Sequence, residues 1–465
     1  MPDAYTGVGL QKKPPVELSN PLAKALHLKL DYDQLTNCMR CGFCLPACPT
    51  FKETGVEPES PRGRIALMKA VADGIMDPDQ AFQDQMNHCL GCRACEPVCP
   101  ADVKYGQLME QARDAIEDHT RHSIPVTGLR RLFFKGIFPH RRRLKWLGRS
   151  LSFYQRSGLR TVARRSGMLR LFPQPMREME QILPEASAQG VVERLGTLYP
   201  AKGEPIARVA LFRGCIMDVL FSQTNVNTVK LLSEAGFEVY IPKEQVCCGA
   251  LHAHSGEMEQ ARVLARRNLD AFNEAGIEHI VSNAGGCGAL LVEYGHLLQE
   301  DPEYRGLAEW FASRVMDVSR LLLERGRIPA FVETCASPAE PLTITYQDSC
   351  HLRNVMKSPD APRQLMRQVA HARFVEMKEA DRCCGSAGIY NMTQPEMAGQ
   401  LLEHKMEHAG QTGARYLLTS NPGCLLQMKL GVRKHGAGGH MEVQHVVDFL
   451  YERIGKPDGP VPLKE

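Results

Sequence analysis

The sequence predicts an α+β multidomain protein: an all-helical module rich in cysteine, a basic connector, and a duplicated α/β domain. Three observations carry this. Eight of the 17 cysteines lie between Cys38 and Cys99, none lies between Cys99 and Cys215, and nine run from Cys215 to Cys424. Charge is uneven as well. From Arg121 to Glu180 fifteen Lys and Arg stand against two Glu, a local +13 in a chain of net +3, so the remainder is net acidic. Finally, Cys215, the pair Cys247–Cys248 and Cys287 recur as Cys350, Cys383–Cys384 and Cys424, at offsets of 135, 136 and 137 residues. The expected division is an N-terminal extension over 1–30, the module over 31–120, the connector over 121–205, and α/β domains over 206–335 and 340–455.

Length and composition narrow the class. A chain of 465 residues, 43% hydrophobic and 23% charged, is long enough for several packed cores and is neither collagen-like nor disordered. No apolar run approaches the ~18 residues of a membrane span. The first twenty residues lack an apolar h-region, which predicts no secretory signal and a cytoplasmic location. Cytosolic thiols stay reduced, so this cysteine content points to metal or redox chemistry rather than a disulfide framework.

The most specific signal lies in the helical module. Cys38, Cys41, Cys44 and Cys48 precede Pro49, and Cys89, Cys92, Cys95 and Cys99 precede Pro100. Both runs read C-x2-C-x2-C-x3-C-P, the bacterial iron–sulfur ligand pattern, in which the fourth cysteine serves the other cluster. The expected ligand sets are therefore Cys38, Cys41, Cys44 and Cys99 for one [4Fe–4S] cluster, and Cys89, Cys92, Cys95 and Cys48 for a second. Structural zinc is the competing reading, but zinc sites use separated pairs rather than runs of four. Between the runs, Ser60 caps and Pro61 opens a helix that continues to Gly74. The module thus reads as an all-helical two-cluster ferredoxin. Arg62 and Arg64 either offset the charge of a ligated cluster or stand in solvent.

In the first α/β domain, strands are expected at 207–212, around Val239 and at 279–282, with helices from Ser222 to Gly236 and over 257–275. Such alternation indicates a mainly parallel sheet. The cysteines fall after strands and before helices, where open α/β sheets bind ligands and a helix N-terminus favours a thiolate. His252, His254 and His351 lack counterparts in the other copy and read as packing residues. Cys335 matches nothing in the repeat and reads as an unligated thiol.

Taken together, CMRCGFCLPACPT, SPRGRI, CLGCRACEPVCP and two Cys-Cys-Gly (CCG) domains resemble the iron–sulfur subunit family of bacterial glycolate oxidase (glycolate dehydrogenase), from about Asp33 to Gly455. The resemblance implies an oxidoreductase complex in which partner subunits hold FAD and oxidise glycolate, while this chain carries electrons towards a respiratory acceptor. Related families serve lactate or anaerobic glycerol-3-phosphate dehydrogenase, and heterodisulfide reductase, a thiol/disulfide enzyme. No G-x-G-x-x-G opens a helix here, and GAGGH at 436–440 lacks the spacing, so no flavin or catalytic residue is expected on this chain.

The CCG domains depart from the heterodisulfide reductase pattern of five cysteines per copy, because Leu290 and Gln427 stand where the fifth would be. Each copy offers four: Cys215, Cys247, Cys248 and Cys287, then Cys350, Cys383, Cys384 and Cys424. Two readings stand, additional iron–sulfur clusters or buried thiols without metal. The connector interleaves arginines with Phe133, Phe134, Phe138, Trp146, Phe153 and Tyr154. That pattern suits peripheral contact with the cytoplasmic face of the inner membrane, or docking of an acidic partner. Plain packing with arginines in solvent is the alternative. Nucleic acid fits poorly, since the rest of the chain is acidic.

Overall fold

The structure is a computed structural model and describes residues 17–274, 276–334, 339–435 and 441–455. Cys335 and the GAGGH segment lie outside them. The chain divides into two compact units, one of residues up to 123 with 251–258, the other holding 124–250 and the residues from 259 onward.

The described residues of the first unit form helices and turns. Each helix start has a sequence cause. The Asn20 side chain accepts from Leu22 N (2.9 Å) ahead of Pro21–Lys29, the Ser60 hydroxyl from Gly63 N (3.0 Å) ahead of Pro61–Ala72, and the Asp79 carboxylate from Phe82 N (2.8 Å) ahead of Gln80–Asn87. Tyr105–His119 lies along Pro21–Lys29, with Lys29 bonded to Asp114 and Asp118 at 2.6 Å each. Leu26, Met68, Phe82, Leu108 and Ala112 close a core that also takes in Cys89 and Cys95.

The second unit contains the connector from residue 124 and both CCG regions apart from 251–258. The first sheet has strands β1 (Leu198–Tyr199), β2 (Ala207–Phe212), β3 (Phe237–Tyr240), β4 (His279–Ser282) and β5 (Val315–Asp317), in the order β1-β3-β2-β4-β5. Only β1 is antiparallel to its neighbour. A two-stranded pair joins β6 (Phe331–Val332) to β8 (Val369–Ala370). The last sheet has β7 (Leu342–Tyr346), β9 (Ala372–Phe374), β10 (Tyr416–Thr419) and β11 (Glu442–His445), all parallel, in the order β11-β10-β7-β9. The four parallel strands of each sheet therefore follow one order, and in each the chain reverses direction across the sheet after its second strand. β2, β3 and β4 fall where the apolar runs place them. The two sheets share one core, in which Val209, Leu211 and Val281 join Ile344, Tyr346 and Leu418.

Candidate iron–sulfur sites

The two N-terminal cysteine loops have matching backbones. Arg40 and Gly42 flank Cys41 with φ of 57° and 92°, and Gly91 and Arg93 flank Cys92 with φ of 62° and 58°. Leu45 N donates to Gly42 O and Cys48 N to Leu45 O, while Glu96 N donates to Arg93 O and Cys99 N to Glu96 O. These tight left-handed turns are what the x2-x2 spacing permits. They bring Cys38, Cys41, Cys44 and Cys99 to the wall of one cavity, which Cys95, Arg62 and Tyr105 also line. Cys48 is not in that wall; its sulfur and those of Cys89 and Cys92 lie near enough to act on Cys95, and Cys48 also acts on Cys44. Burial, then the neighbouring sulfurs of Cys92 and Cys89, push the Cys95 thiol well above its usual range.

Sequence reasoning missed the groups around this second set. Tyr105 Oη lies 3.6 Å from Cys89 Sγ, and Thr50 Oγ1 lies 3.3 Å from Cys48 Sγ. Arg64 does not stand in solvent: it is fully buried, bonded to Glu59 Oε2 (2.6 Å), Gln85 O (2.7 Å) and Thr50 Oγ1 (3.3 Å). Arg62 does line the first cavity. It forks onto Glu57 (2.6 and 3.1 Å) and donates to Arg40 O (3.1 Å), bracing the loop that carries Cys41.

In the second unit each CCG quartet gathers at the carboxyl ends of three parallel strands. Cys215 follows β2, Cys247 and Cys248 follow β3, and Cys287 follows β4, while Cys350, Cys383–Cys384 and Cys424 follow β7, β9 and β10. Open sheets place their ligands at this reversal point. Cys215 Sγ lies 3.4 Å from Cys247 Sγ, and Cys248 is in side-chain contact with both Cys247 and Cys287. In the second copy Cys384 Sγ lies 3.4 Å from Cys424 Sγ, and Cys383 contacts Cys350 and Cys384. The contacts run in the same order in both.

The glycine of CCG has a geometric cause. Gly249 (φ +94°) and Gly385 (φ +84°) turn the chain left-handed against a helix, where an added Cβ would meet Ala261 Cα at 3.3 Å and Ala398 O at 3.0 Å. Gly249 N and Ala250 N each point at a cysteine sulfur 3.5 Å away. His254 Nδ1 faces Glu110 Oε1 at 3.4 Å and belongs with the first unit.

Among the described residues no disulfide forms, and no three side chains already stand at the spacing of a closed metal site. The donor sets nevertheless fit iron–sulfur chemistry, with cysteine thiols grouped at each locus and amide N–H groups directed at sulfur.

The chain matches the 4Fe-4S dicluster domain over 34–103, the glycolate oxidase iron-sulfur subunit linker region over 125–183, and the cysteine-rich domain over 209–291 and again over 344–429. It is 48% identical to the probable glycolate oxidase iron-sulfur subunit of Bacillus subtilis (strain 168), across 92% of this chain and 96% of that protein. The chain belongs to the glycolate oxidase iron–sulfur subunit family. It is also similar to the glycolate oxidase iron-sulfur subunit of Escherichia coli (strain K12), 29% identical over 91% of this chain and 95% of that protein. Lactate utilization protein A of Exiguobacterium is 31% identical over 53% of this chain, which is 98% of that smaller protein.

Within this family member the two CCG sites differ in their charged neighbours. Arg213 Nε faces Asp218 Oδ2 at 3.4 Å around Cys215. At the same offset of 135 the signs are reversed around Cys350, where Arg353 Nη1 meets Asp348 Oδ2 at 3.0 Å. Arg363 adds a second bond to Asp348 (2.7 Å) and one to Glu376 (2.7 Å). The first motif reads RGCIMD and the second DSCHLR, a swap legible in the sequence once the offset is applied.

Proposed function

We propose that the chain is the iron–sulfur electron-transfer subunit of a flavin-dependent glycolate dehydrogenase complex, an oxidoreductase that converts glycolate to glyoxylate. The observation that carries this is the cavity lined by Cys38, Cys41, Cys44 and Cys99, with Cys48, Cys89 and Cys92 near Cys95. This grouping supports two crossed quartets for a pair of [4Fe–4S] clusters, and such clusters supply single-electron steps. Glycolate gives up two electrons and two protons, which requires a flavin-type acceptor, and FAD belongs on partner subunits. What this chain contributes is holding the sulfurs, shielding them, and bracing the first loop through Arg62. The mostly buried quartets Cys215, Cys247, Cys248, Cys287 and Cys350, Cys383, Cys384, Cys424 hold additional iron–sulfur groups.

The finer architecture follows. Residues 31–120 form an all-helical two-cluster ferredoxin module, and 206–335 and 340–455 are copies of one ancestral CCG domain. The shared strand order and the repeated sulfur contacts support the duplication.

The complex works on the cytoplasmic face of the inner membrane, held peripherally through the connector. Support comes from the helix Arg141–Arg156. Its inner face is Leu144, Gly148 and Ser152, and an added Cβ at Gly148 would stand 3.0 Å from Ser187 O. Arg141 and Lys145 are paired to Glu193, and Arg143 donates to Gly136 O. The opposite face carries Arg142, Trp146, Arg149, Phe153 and Arg156 at helical spacing, with Trp146 72% and Phe153 66% exposed. Aromatics among outward arginines suit anionic lipid headgroups. Among the described residues no helix is long and apolar enough to cross a membrane.

The test is to purify the chain alone and with its partners. The complex should reduce an artificial dye with glycolate faster than with lactate or glycerol 3-phosphate, and the lone chain should be inactive and flavin-free. A stoichiometric flavin on the lone chain would overturn the assignment. Preference for lactate would favour the second reading, which the similarity to lactate utilization protein A supports. Replacing Arg142, Trp146, Arg149 and Phe153 with Gln should release wild-type binding to anionic vesicles at low salt, with iron content unchanged.

A further inference from the structure

The two CCG sites place different residues behind their paired cysteines. In the first, Asn268 accepts from Val246 N (3.0 Å) and donates to Cys247 O (2.9 Å) and Tyr294 Oη (3.0 Å). It is buried, neutral and fully bonded. At an offset of 137, the one that relates Cys287 to Cys424, the second copy has Lys405. The helices that carry them are in register, since Ala261 backs Gly249 as Ala398 backs Gly385.

Lys405 is 1% exposed, and its ammonium donates to the carbonyl of Glu379. Its helix neighbours Leu402 and Met406 share a core with Cys384 and Cys424. The negative groups it faces are the sulfurs of Cys384 and Cys383 and the carboxylates of Asp381 and Asp348. Asp348 is already bonded to Arg353 and Arg363, and Asp381 is exposed to water. The sulfur site is therefore the buried negative group left for this cation. Burial pulls the Lys405 pKa down, and against the opposing pull of those negative groups it comes to about 8; an isolated buried charge is costly unless it is paired. No such cation stands at the equivalent position in the first copy.

We infer that Lys405 is a positioning residue for charge, making the second CCG site the more easily reduced of the two, so that electrons reaching the CCG region collect there. This rests on the reading that both quartets hold iron–sulfur groups. The step is a one-electron reduction, the electron coming from flavin oxidation through the N-terminal clusters. No bond to the chain forms or breaks, and Lys405 keeps its proton. A fixed cation in a low-dielectric site favours the added negative charge.

The experiment is an anaerobic reductive titration of the reconstituted full chain, followed by EPR, with iron counted in every sample. The signal missing from C384S identifies the second CCG site. In K405Q that signal should require a lower potential, with iron content and the N-terminal signals unchanged, and K405R should restore the wild-type position. N268K should move the other CCG signal to higher potential. An unshifted signal in K405Q would overturn the inference, as would equal loss of iron from K405Q and K405R, which would make Lys405 a packing residue. Wild-type iron no greater than the N-terminal module holds would remove the CCG clusters themselves, and the inference with them.

Discussion

The N-terminal loops and the CCG sites both draw cysteines towards a common locus, on different length scales. Cys38, Cys41 and Cys44 span seven residues, and left-handed backbone at Arg40 and Gly42 is enough to turn them inward. Cys41 remains exposed. Cys215, Cys247–Cys248 and Cys287 come from the ends of three strands and meet only because the sheet order sets β2 between β3 and β4. That arrangement depends on the whole sheet, and it buries Cys215, Cys247, Cys248, Cys383, Cys384 and Cys424 while leaving Cys287 and Cys350 half-buried. The local loops differ between themselves, since Cys41 is exposed whereas Cys89, Cys92 and Cys95 of the other loop are buried.

The largest expected effects break one kind of site and spare the other. Cys248→Ser and Cys384→Ser should each remove the iron of one CCG site and leave about eight irons in the N-terminal module. Unchanged iron in both variants would mean that these cysteines are buried thiols without metal. Next is Arg64→Met, which strands the buried Glu59 carboxylate beside His88. A loss of about 3–5 kcal/mol is expected. Hydrogen exchange should quicken across Pro61–Ala72 and Tyr105–His119 and stay unchanged in the two sheets. Exchange that does not change would mean that Arg64 is dispensable to the module.

Smaller effects test the turns. Gly385→Ala should cost about 1–3 kcal/mol, because it combines left-handed backbone with a 3.0 Å approach to Ala398 O. Gly249→Ala should cost less, its nearest contact being 3.3 Å. Thermal melts that rank the two the other way would remove the packing explanation of the CCG glycine. Smallest of all, Arg40→Gly should stay within about 0.5 kcal/mol of wild type, since relief of left-handed strain offsets the entropy cost of glycine. A loss above about 2 kcal/mol would show that the Arg40 side chain itself holds the first loop.

The same difference in scale explains what could be read from the sequence. The helix at Pro61 was legible because its cap, Ser60, is local, and β2, β3 and β4 were legible because each is a continuous apolar run. Convergence of the CCG cysteines was legible only as a repeat, since the offset locates partners without giving distances. Arg64 was not legible. An arginine on a helix is normally solvated, and its burial depends on Glu59, Gln85 and Thr50 converging from other segments. Lys405 reads as an ordinary lysine in an amphipathic helix until the helix is laid behind Gly385. The single core beneath both sheets was also hidden, because a repeat suggests two separate domains whether or not their apolar faces are pooled.

The crossed ligation of the N-terminal quartets is the central claim, and one set of spectra tests it most directly. The full chain is reconstituted anaerobically as wild type, Cys41→Ser, Cys92→Ser and Cys99→Ser, and the reduced samples are compared by EPR. Wild type should give the broadened signal of two coupled clusters. The account predicts that Cys99→Ser reproduces the Cys41→Ser spectrum, because both damage the locus lined by Cys38 and Cys44. A Cys99→Ser spectrum that instead matches Cys92→Ser would assign Cys99 to its own loop and contradict the crossed arrangement.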